Sequence, residues 1–483
     1  MAQSQVCVTV RATTTDQLRR RRDAAVEADL VELRVDGVED LDVSGALKGR
    51  SKPAIVTCRT VQDGGSFDGG EEAQRRIIAE ALKCGAEYVD IEWNGSPDPR
   101  ITKHGSRIVL SSHDFSGRPS DLADRYFAMR ATGVAVVKLA VKAKSLMDLV
   151  PLADLGRRAR RDGEQAVIIG MGGPGVASRV LADRFGACWS YAGDAAPGQV
   201  DPDRLIREFR FRELSDSTEV YGVLGKPVMH SLSPAMHNAG FRAISKDAVY
   251  LPLEAADVDD FFSFADAFRI SGASVTAPFK EEVHRRVRES DPIGKRIGAV
   301  NTLQRVQNNW RTMNCDVDGF LEPLLSRFTI DGWRATVVGA GGAAKAASVG
   351  LVESGVLTKI CARRQEKAEE AARVSGATVG GFPVEPNSWD LLVNATPVGM
   401  TPQVNESPLP ASSLDGRLVY DLVYNPSRTL LLKEATKRGC RTLGGLEMLV
   451  AQAKRQFEWW TGVQVPNSVF ETAAKNGLTS TAE

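Results

Sequence analysis

Lys138 stands in the middle of an apolar run, VAVVKLAV. A buried ammonium is costly unless it is paired or gives up its proton. As a neutral amine beside a ketone it would form a Schiff base, an electron sink for carbanion chemistry at the adjacent carbon. As a charged group it would be a structural lysine paired with a carboxylate, and the run alone leaves both readings open. His113 follows another apolar run in LSSHDF. Imidazole ordinarily titrates near ~6.5 and can shuttle protons at neutral pH, although a lone histidine is more often a packing or surface residue. A histidine and a lysine on neighbouring strands reverse that preference. GMGGPGVASR brings Arg179 after a glycine-rich loop, and AAPGQ offers Gln199. Backbone N–H groups plus a guanidinium fork suit a carboxylate or a phosphate.

A second set lies further along. TVVGAGGAAKA places Gly339, Gly341 and Ala344 in a GxGxxA spacing. Such a turn lets backbone approach a pyrophosphate at a helix N-terminus. An NAD site would put an acid at the end of the next strand, but KICARRQEK has Arg363, Arg364 and Lys367 there. Cations suit a 2′-phosphate, so NADP is expected over NAD. The alternative, a solvated basic helix start, is unfavourable against the helix dipole without an anion. In GKPVMHSLSPAMHN, Ser231 and Ser233 could grip a carboxylate, and Ser233 before Pro234 also reads as an ordinary helix cap. VTAPFK supplies Thr276 and Lys280, AVNTL supplies Asn301, and NCD supplies Asp316. Lys280 alone reads as a surface residue. A Lys–Asp pair across a cleft could relay a proton to a carbonyl undergoing hydride reduction.

These residues need elements that aim them at common points. Eight short apolar runs (6–10, 30–35, 54–58, 88–91, 107–111, 134–139, 166–170, 188–191) alternate with helix-like segments. That pattern predicts a (β/α)8 barrel, whose strand ends would bring Glu32, Arg34, Asp36, Arg59, Asp90, Glu92, His113, Lys138 and Met171 to one mouth. An open doubly wound sheet has the same periodicity. A polar, aliphatic-poor stretch, RELSDSTE, separates the halves at 213–219. The second half reads as α/β in two lobes, with strands at 221–224, 248–252, 272–275, 336–339, 391–394 and 418–422 and an amphipathic helix at 446–460.

Composition narrows the classes. The 483 residues carry 61 basic and 61 acidic side chains, which argues against a nucleic-acid or anionic-membrane partner. No apolar run approaches the ~18 residues of a membrane span. The seven cysteines are scattered without a CxxC, as reduced thiols are, and no metal-ligand cluster is visible. MAQSQVCVTV runs straight into a strand-like segment without a signal or transit pattern, so a cytoplasmic location is expected.

ELRVD, TCRT followed by DGG, SSHDF, VVKLA, GMGGPGVASR and APGQ together resemble type I 3-dehydroquinate dehydratases, over about residues 5–212. The resemblance implies that Lys138 forms an imine with the substrate ketone. His113 would remove the C2 proton and then assist loss of the C1 hydroxyl as water. Arg179 would hold the substrate carboxylate, with Glu32, Arg34, Arg59 and Gln199 binding hydroxyls or ordering the site. GKPVMHSLSP, VTAPFK, AVNTL, NCD, GAGGAAKA, NATPVGM, YDLVYNP and GGLEMLVAQA resemble shikimate dehydrogenases, over about 219–475. This implies shikimate held by Ser231, Ser233, Thr276, Asn301, Asp316, Tyr424 and Gln452, with Lys280 and Asp316 as the catalytic pair. It also implies NADP(H) against Gly339, Ala340, Gly341, Gly342 and Ala343, and against Arg363, Arg364, Lys367, Thr396 and Gly445. Met448 reads equally as a nicotinamide contact or a core residue.

The departures are few. The dehydratase family commonly has Glu where this chain has Asp63, and Ser where it has Ala195. Losing one hydrogen bond at Ala195 would cost a net ~0.5–1.5 kcal/mol, roughly two- to twelvefold. The dehydrogenase family usually has Thr at Cys315, and Asn-Arg-Thr where this chain has Ala362, Arg363 and Arg364. His230 and His237 read as structural, and His104 and His284 as surface residues.

The product of the first chemistry is the substrate of the second, so one chain with two consecutive activities is expected. The expected segments are 1–213 (barrel), 219–328 (substrate lobe), 329–443 (Rossmann-like NADP lobe) and 444–483 (helical return to the substrate lobe). Two rivals remain at this level: a metabolite sensor without turnover in the first half, and quinate with NAD in the second.

Overall fold

A computed structural model describes residues 3–95 and 104–480. Packing divides the chain into two compact units: 1–220 with 226–229 and 247–269, and the remainder.

In the first unit, eight strands run β1 (Gln5–Arg11), β2 (Leu30–Arg34), β3 (Ala54–Thr57), β4 (Tyr88–Glu92), β5 (Ile108–Asp114), β6 (Val136–Lys142), β7 (Ala166–Met171) and β8 (Trp189–Ala192). They are buried on both faces, so they read as continuous apolar runs rather than alternating ones. Successive strands pair in parallel from β1 to β7, and β1 also pairs in parallel with β8. The first strand therefore lies beside the last. The Cys188 N–H donates to Ala166 O at 2.9 Å, linking the entry of β8 to that of β7. This is a near-closed eight-stranded barrel, and the open-sheet alternative falls. Cys7, Leu30, Ile55, Val109, Val136, Val167 and Trp189 form one buried cluster. Each comes from a different strand, as barrel filling requires. β10 (Ala248–Glu254) and the helix Val258–Phe268 also pack within this unit.

The second unit contains two sheets. In the first, β9 (Glu219–Gly225), β11 (Ile270–Val275), β13 (Thr302–Val306), β14 (Asn309–Met313) and β12 (Glu289–Ser290) lie side by side in that order. It is mixed, because β13 is antiparallel to both β11 and β14. The sequence reading does not contain this hairpin. Its two-residue turn places Gln307 at φ 56, where a glycine or asparagine would have signalled it. The other sheet is wholly parallel, ordered β17 (Thr378–Val379), β16 (Leu357–Cys361), β15 (Arg334–Val338), β18 (Leu391–Asn394), β19 (Leu418–Asp421), β20 (Arg441–Leu443). Strand order reverses between β15 and β18, the crevice where α/β sheets bind ligands. The helix Gly445–Thr461 follows β20.

Candidate active sites

The barrel strands deliver their C-terminal residues to one cavity, lined among others by Glu32, Arg34, Arg59, His113, Lys138, Arg179 and Gln199. Met171 also lines it, while Asp36, Asp90 and Glu92, expected at the same mouth, are not among its lining residues. Lys138 is 6% exposed, and its Nζ lies 3.4 Å from Asp90 Oδ2, 3.7 Å from Glu32 Oε1 and 4.2 Å from the Tyr191 ring centroid. Both carboxylates are fixed from elsewhere. Glu32 accepts from Thr9 and Thr57 hydroxyls at 2.9 Å each, and Asp90 accepts from Ser111 Oγ at 2.5 Å and Arg59 Nη2 at 2.5 Å. Burial works against both charges, but Lys138 with Arg34 at Glu32, and Arg59 with Lys138 at Asp90, outweigh it and hold both carboxyls below their ordinary range.

His113 is held from the end of β4 and from the loop just past β3. Its Nδ1 is 2.9 Å from Glu92 Oε2, its backbone N–H donates to Glu92 Oε1 at 2.8 Å, and Arg59 Nη1 lies 2.5 Å from Nδ1 and 2.8 Å from Nε2. Burial, helped by Arg59 and Lys138, pushes the imidazole well below its ordinary pKa, so it is neutral at physiological pH. Burial pushes Glu92 the other way, up to about 7, against the pull of Arg59.

Arg179 is 3% exposed, and no carboxylate pairs with it among the described residues. Its Nε has no partner, its Nη1 reaches only Tyr191 O at 3.4 Å, and burial pushes it down to about 10. A desolvated guanidinium without a counter-ion has the charge and the free N–H donors to take an anionic group. Arg34, by contrast, is committed to a two-pronged pair with Asp36 at 2.8 and 2.9 Å. Gln199 turns its oxygen inward to the N–H groups of Ala195 and Ala196, so it orders the loop. Asp63 accepts from Thr60 Oγ1 at 2.6 Å.

In the second unit, a hydrogen-bonded cluster forms around Asp316, which is 2% exposed. Lys280 Nζ donates to its Oδ2 at 2.7 Å, while Asn301 Nδ2 and Gln452 Nε2 donate to its Oδ1 at 2.9 and 2.8 Å. Local sequence explains the placement. The Asp316 N–H donates to Asn314 Oδ1 and the Cys315 N–H to Asn301 Oδ1, so NCD is pinned before the helix Asp316–Leu325 begins. Thr276 immediately follows β11, and Lys280 opens the next helix one turn later. Ser231 Oγ accepts the N–H of Ser233 at the start of the helix Ser233–Ala243. Tyr424 is half-buried just past β19.

The glycine turn has the shape of a pyrophosphate cradle. Gly339 takes φ +122, and a Cβ there would sit 3.0 Å from Ala395 O. The helix Gly342–Glu353 begins with no side-chain cap, leaving its first N–H groups for a ligand. Gly342 approaches Lys280, since a Cβ would lie 3.9 Å from Lys280 Cδ. Arg363 and Arg364 are exposed at the end of β16, and no acid pairs with them among the described residues. Lys367 is already paired with Glu370 at 2.8 Å, and Lys345 reaches the same carboxylate at 2.8 Å. Hydrogen bonds from those two lysines hold Glu370 down to about 2. Thr396 is held at both its N–H and hydroxyl by Asn394 Oδ1. Gly445 must be glycine, because a Cβ would meet Leu422 O at 2.3 Å. The residues present thus fit a dinucleotide bearing an extra phosphate.

Several side chains stand apart from the sequence reading. Met448 is 6% exposed within the core that contains Phe320 and Tyr420, so it packs as a core residue. His237 is fully buried against Trp460, but His230 is exposed, and His104 and His284 are half-buried. Gln456 carried no signal beyond its position one turn after Gln452. It donates to Asn301 O and Thr302 Oγ1 at 3.1 Å each, holding the asparagine that touches Asp316. Glu92 was legible only as a polar strand end.

Comparison with known proteins covers both halves. The type I 3-dehydroquinase family matches residues 6–216, the shikimate dehydrogenase substrate binding domain matches 223–303, and the shikimate 5′-dehydrogenase C-terminal domain matches 445–475. A chloroplastic bifunctional 3-dehydroquinate dehydratase/shikimate dehydrogenase from Arabidopsis thaliana is 32% identical over 97% of this chain and 83% of its own length. An NADP(+) shikimate dehydrogenase from Moorella thermoacetica is 38% identical over 55% of this chain and 96% of its own. Among solved structures, Thermus thermophilus shikimate 5-dehydrogenase in complex with NADP(H) and shikimate aligns with TM-score 0.50 at 34% identity, covering 54% of this chain and all of that one. A shikimate dehydrogenase in complex with NADP+ aligns with TM-score 0.52 at 33% identity, covering 55% and 97%.

Proposed function

The chain belongs to the family of bifunctional 3-dehydroquinate dehydratase/shikimate dehydrogenases, and from that premise we propose how its residues divide the two reactions. It dehydrates 3-dehydroquinate to 3-dehydroshikimate and reduces that ketone to shikimate with NADPH. In the proposed division, 1–213 dehydrates, 219–328 with 444–483 binds the ketone, and 329–443 holds the dinucleotide. The seven cysteines are all free, which supports a reducing, cytoplasmic setting.

For the first reaction the carrying observation is a buried lysine in one cavity with a buried, unpaired arginine. Arg179 takes the substrate carboxylate. Lys138 Nζ adds to the C3 carbonyl and expels water, leaving an iminium. His113 removes the C2 proton, the electron pair runs into the iminium, and the resulting enamine expels the C1 hydroxyl, which His113 protonates as water. Hydrolysis of the imine frees product and lysine. Borohydride added with 3-dehydroquinate tests this: a reduced adduct on the peptide bearing Lys138 is expected. Binding without any adduct overturns it in favour of a sensor.

Arg179 gives a two-sided prediction. Arg179→Met is expected to raise KM for 3-dehydroquinate by about 10- to 150-fold, the worth of ~1.5–3 kcal/mol for a hydrogen bond to a charged group. The same change removes an unpaired buried charge, so the thermal midpoint of the ligand-free protein should rise or hold. A fall in both substrate affinity and midpoint would make Arg179 structural.

For the second reaction NADPH supplies a hydride when bound. Lys280 and Asp316 hold the proton that the carbonyl oxygen takes up, and Asn301 and Gln452 fix the Asp316 carboxylate. Ser231 and Ser233 take the substrate carboxylate, with Thr276 and Tyr424 on its hydroxyls. Arg363 and Arg364 take the 2′-phosphate, and Lys367, paired with Glu370, adds field rather than contact. Arg363→Ala and Arg364→Ala are each expected to raise KM for NADPH about tenfold, the low end for charged hydrogen bonds because both are exposed. KM for NADH should stay unchanged, and the NADPH effect should shrink with salt. Comparing kcat/KM for shikimate and quinate with each cofactor tests the substrate assignment; preference for quinate with NAD would overturn it.

A further inference from the structure

We propose that the barrel unit carries a second anion site, away from the dehydratase mouth, that takes a small polyanion bearing a phosphate group. Arg157, Arg160 and Arg161 at the end of the helix Leu149–Arg161, Arg184 in the turn Ala182–Phe185, and Arg269 just past the helix Val258–Phe268 line one open cavity of about 500 Å³. All five lie in the first compact unit. Among the described residues, the acids lining it are Asp183 and Asp216, which leaves an excess of three positive charges. That excess stands out in a chain whose 61 basic and 61 acidic residues balance. The cavity lies towards the opposite end of the barrel from the mouth. Arg160 Nη2 donates to Ala187 O at 3.2 Å, just before β8 begins, whereas the dehydratase residues gather at the C-terminal ends of the strands.

Two of the arginines are engaged locally. Arg160 Nη2 lies 3.0 Å from Asp183 Oδ1, an oxygen that also accepts from the N–H and the hydroxyl of Ser4. Arg157 Nε donates to Arg184 O at 2.8 Å, its Nη1 reaches the exposed Asp154 at 3.4 Å, and its guanidinium faces the Phe268 ring at 5.4 Å. No acid pairs with Arg161, Arg184 or Arg269 among the described residues. Arg184 is the fixed part of the site. Its Nη1 donates to Phe268 O at 3.3 Å, and its Nη2 to Asp216 O at 3.2 Å and to Thr218 O. Its Nε is buried and has no partner. Carbonyl oxygens aim the guanidinium without cancelling its charge. Burial, with repulsion from Arg157 and Arg269, holds it below its ordinary range against the pull of Asp216 and Asp247. Arg269 takes φ 54, a left-handed position where glycine or asparagine usually ends a helix, so a long cation is kept there at a backbone cost. An anion supplies what these groups lack. The guanidiniums come from three separate elements, and a phosphate offers three oxygens in different directions where a carboxylate offers two in one plane. The cavity has the size of a small-molecule site.

Isothermal titration of the full-length chain with inorganic pyrophosphate tests this. Saturable binding is expected at low salt, weakening as salt rises, and pyrophosphate should raise the thermal midpoint. Arg161→Gln combined with Arg269→Asn, where asparagine tolerates the left-handed backbone, should weaken that binding about 10- to 100-fold, the low end per charged contact because both side chains are exposed. A cooperative thermal transition shows that the double variant is folded. If it is not, Arg161→Gln alone is measured, with about a tenfold loss expected. Arg179→Met and Arg363→Ala should still bind pyrophosphate. The proposal is overturned by no saturable binding, or by wild-type affinity in the folded variant. Loss of all binding in Arg179→Met or in Arg363→Ala would also overturn it, because the anion would then sit in one of the two sites already described. Citrate binding more than tenfold tighter than pyrophosphate would overturn the phosphate class.

Discussion

Replacing Lys138 with alanine is expected to abolish dehydration of 3-dehydroquinate while the same chain goes on reducing 3-dehydroshikimate. Loss of a covalent nucleophile typically costs on the order of 10^4-fold or more, because no neighbouring group can take its place in the bond-forming step. No substitute amine is at hand: the groups nearest Lys138 Nζ are the carboxylates of Asp90 and Glu32 and the ring of Tyr191. Either replacement leaves those carboxylates without the ammonium that helps hold them ionised, but Lys138→Met keeps the side-chain volume and opens no cavity, so it is the better-folded comparison. Dehydration can be followed by the ultraviolet absorbance of the conjugated ketone it creates. Residual turnover within tenfold of wild type would leave Lys138 a structural lysine paired with two acids. The normal reductase rate of the variant serves as its internal control.

The complementary result is expected at the second site. Lys280→Ala should lower kcat for ketone reduction by about 10^2–10^4-fold, the span for a lost general acid, with KM for NADPH little changed. Asp316→Asn should be almost as damaging despite its shape. Asn301 and Gln452 both donate to Oδ1, so the amide oxygen must stay there and the new NH2 faces Lys280 Nζ. Donor meets donor, and the ammonium loses its counter-ion. Dehydratase activity should be untouched in both variants. If Lys280→Ala raised only KM for the ketone and left kcat intact, the pair would be a binding feature and the proton donor would have to be sought elsewhere.

Much of this is legible in the order of the residues. Lys138 in VAVVKLAV and His113 in LSSHDF declare themselves, because a lysine inside an apolar run and a histidine at the end of one each need a reason to be there. Arg363 and Arg364 did so because an acid was missing where an NAD site would carry one. What escaped the sequence is of one kind. The β13–β14 hairpin turns on Gln307, a residue type without turn preference. Gln456 and Glu92 act through partners 155 and 21 residues away.

Residue order alone places the eight barrel strands, the polar residues along them, and a glycine turn of the kind that suits a pyrophosphate. Those are local properties, set by burial period and by backbone freedom at glycine. Only the tertiary structure decided that β1 closes on β8. It also assigned the charges that crowd the mouth: Arg34 is spent on Asp36, Arg59 is shared among Asp90, Glu92 and His113, and Arg179 is left unpaired. The physical reason is that ion pairs and hydrogen bonds form across strands. Their partners follow from register and from distances of a few ångströms, and no spacing along the chain encodes those.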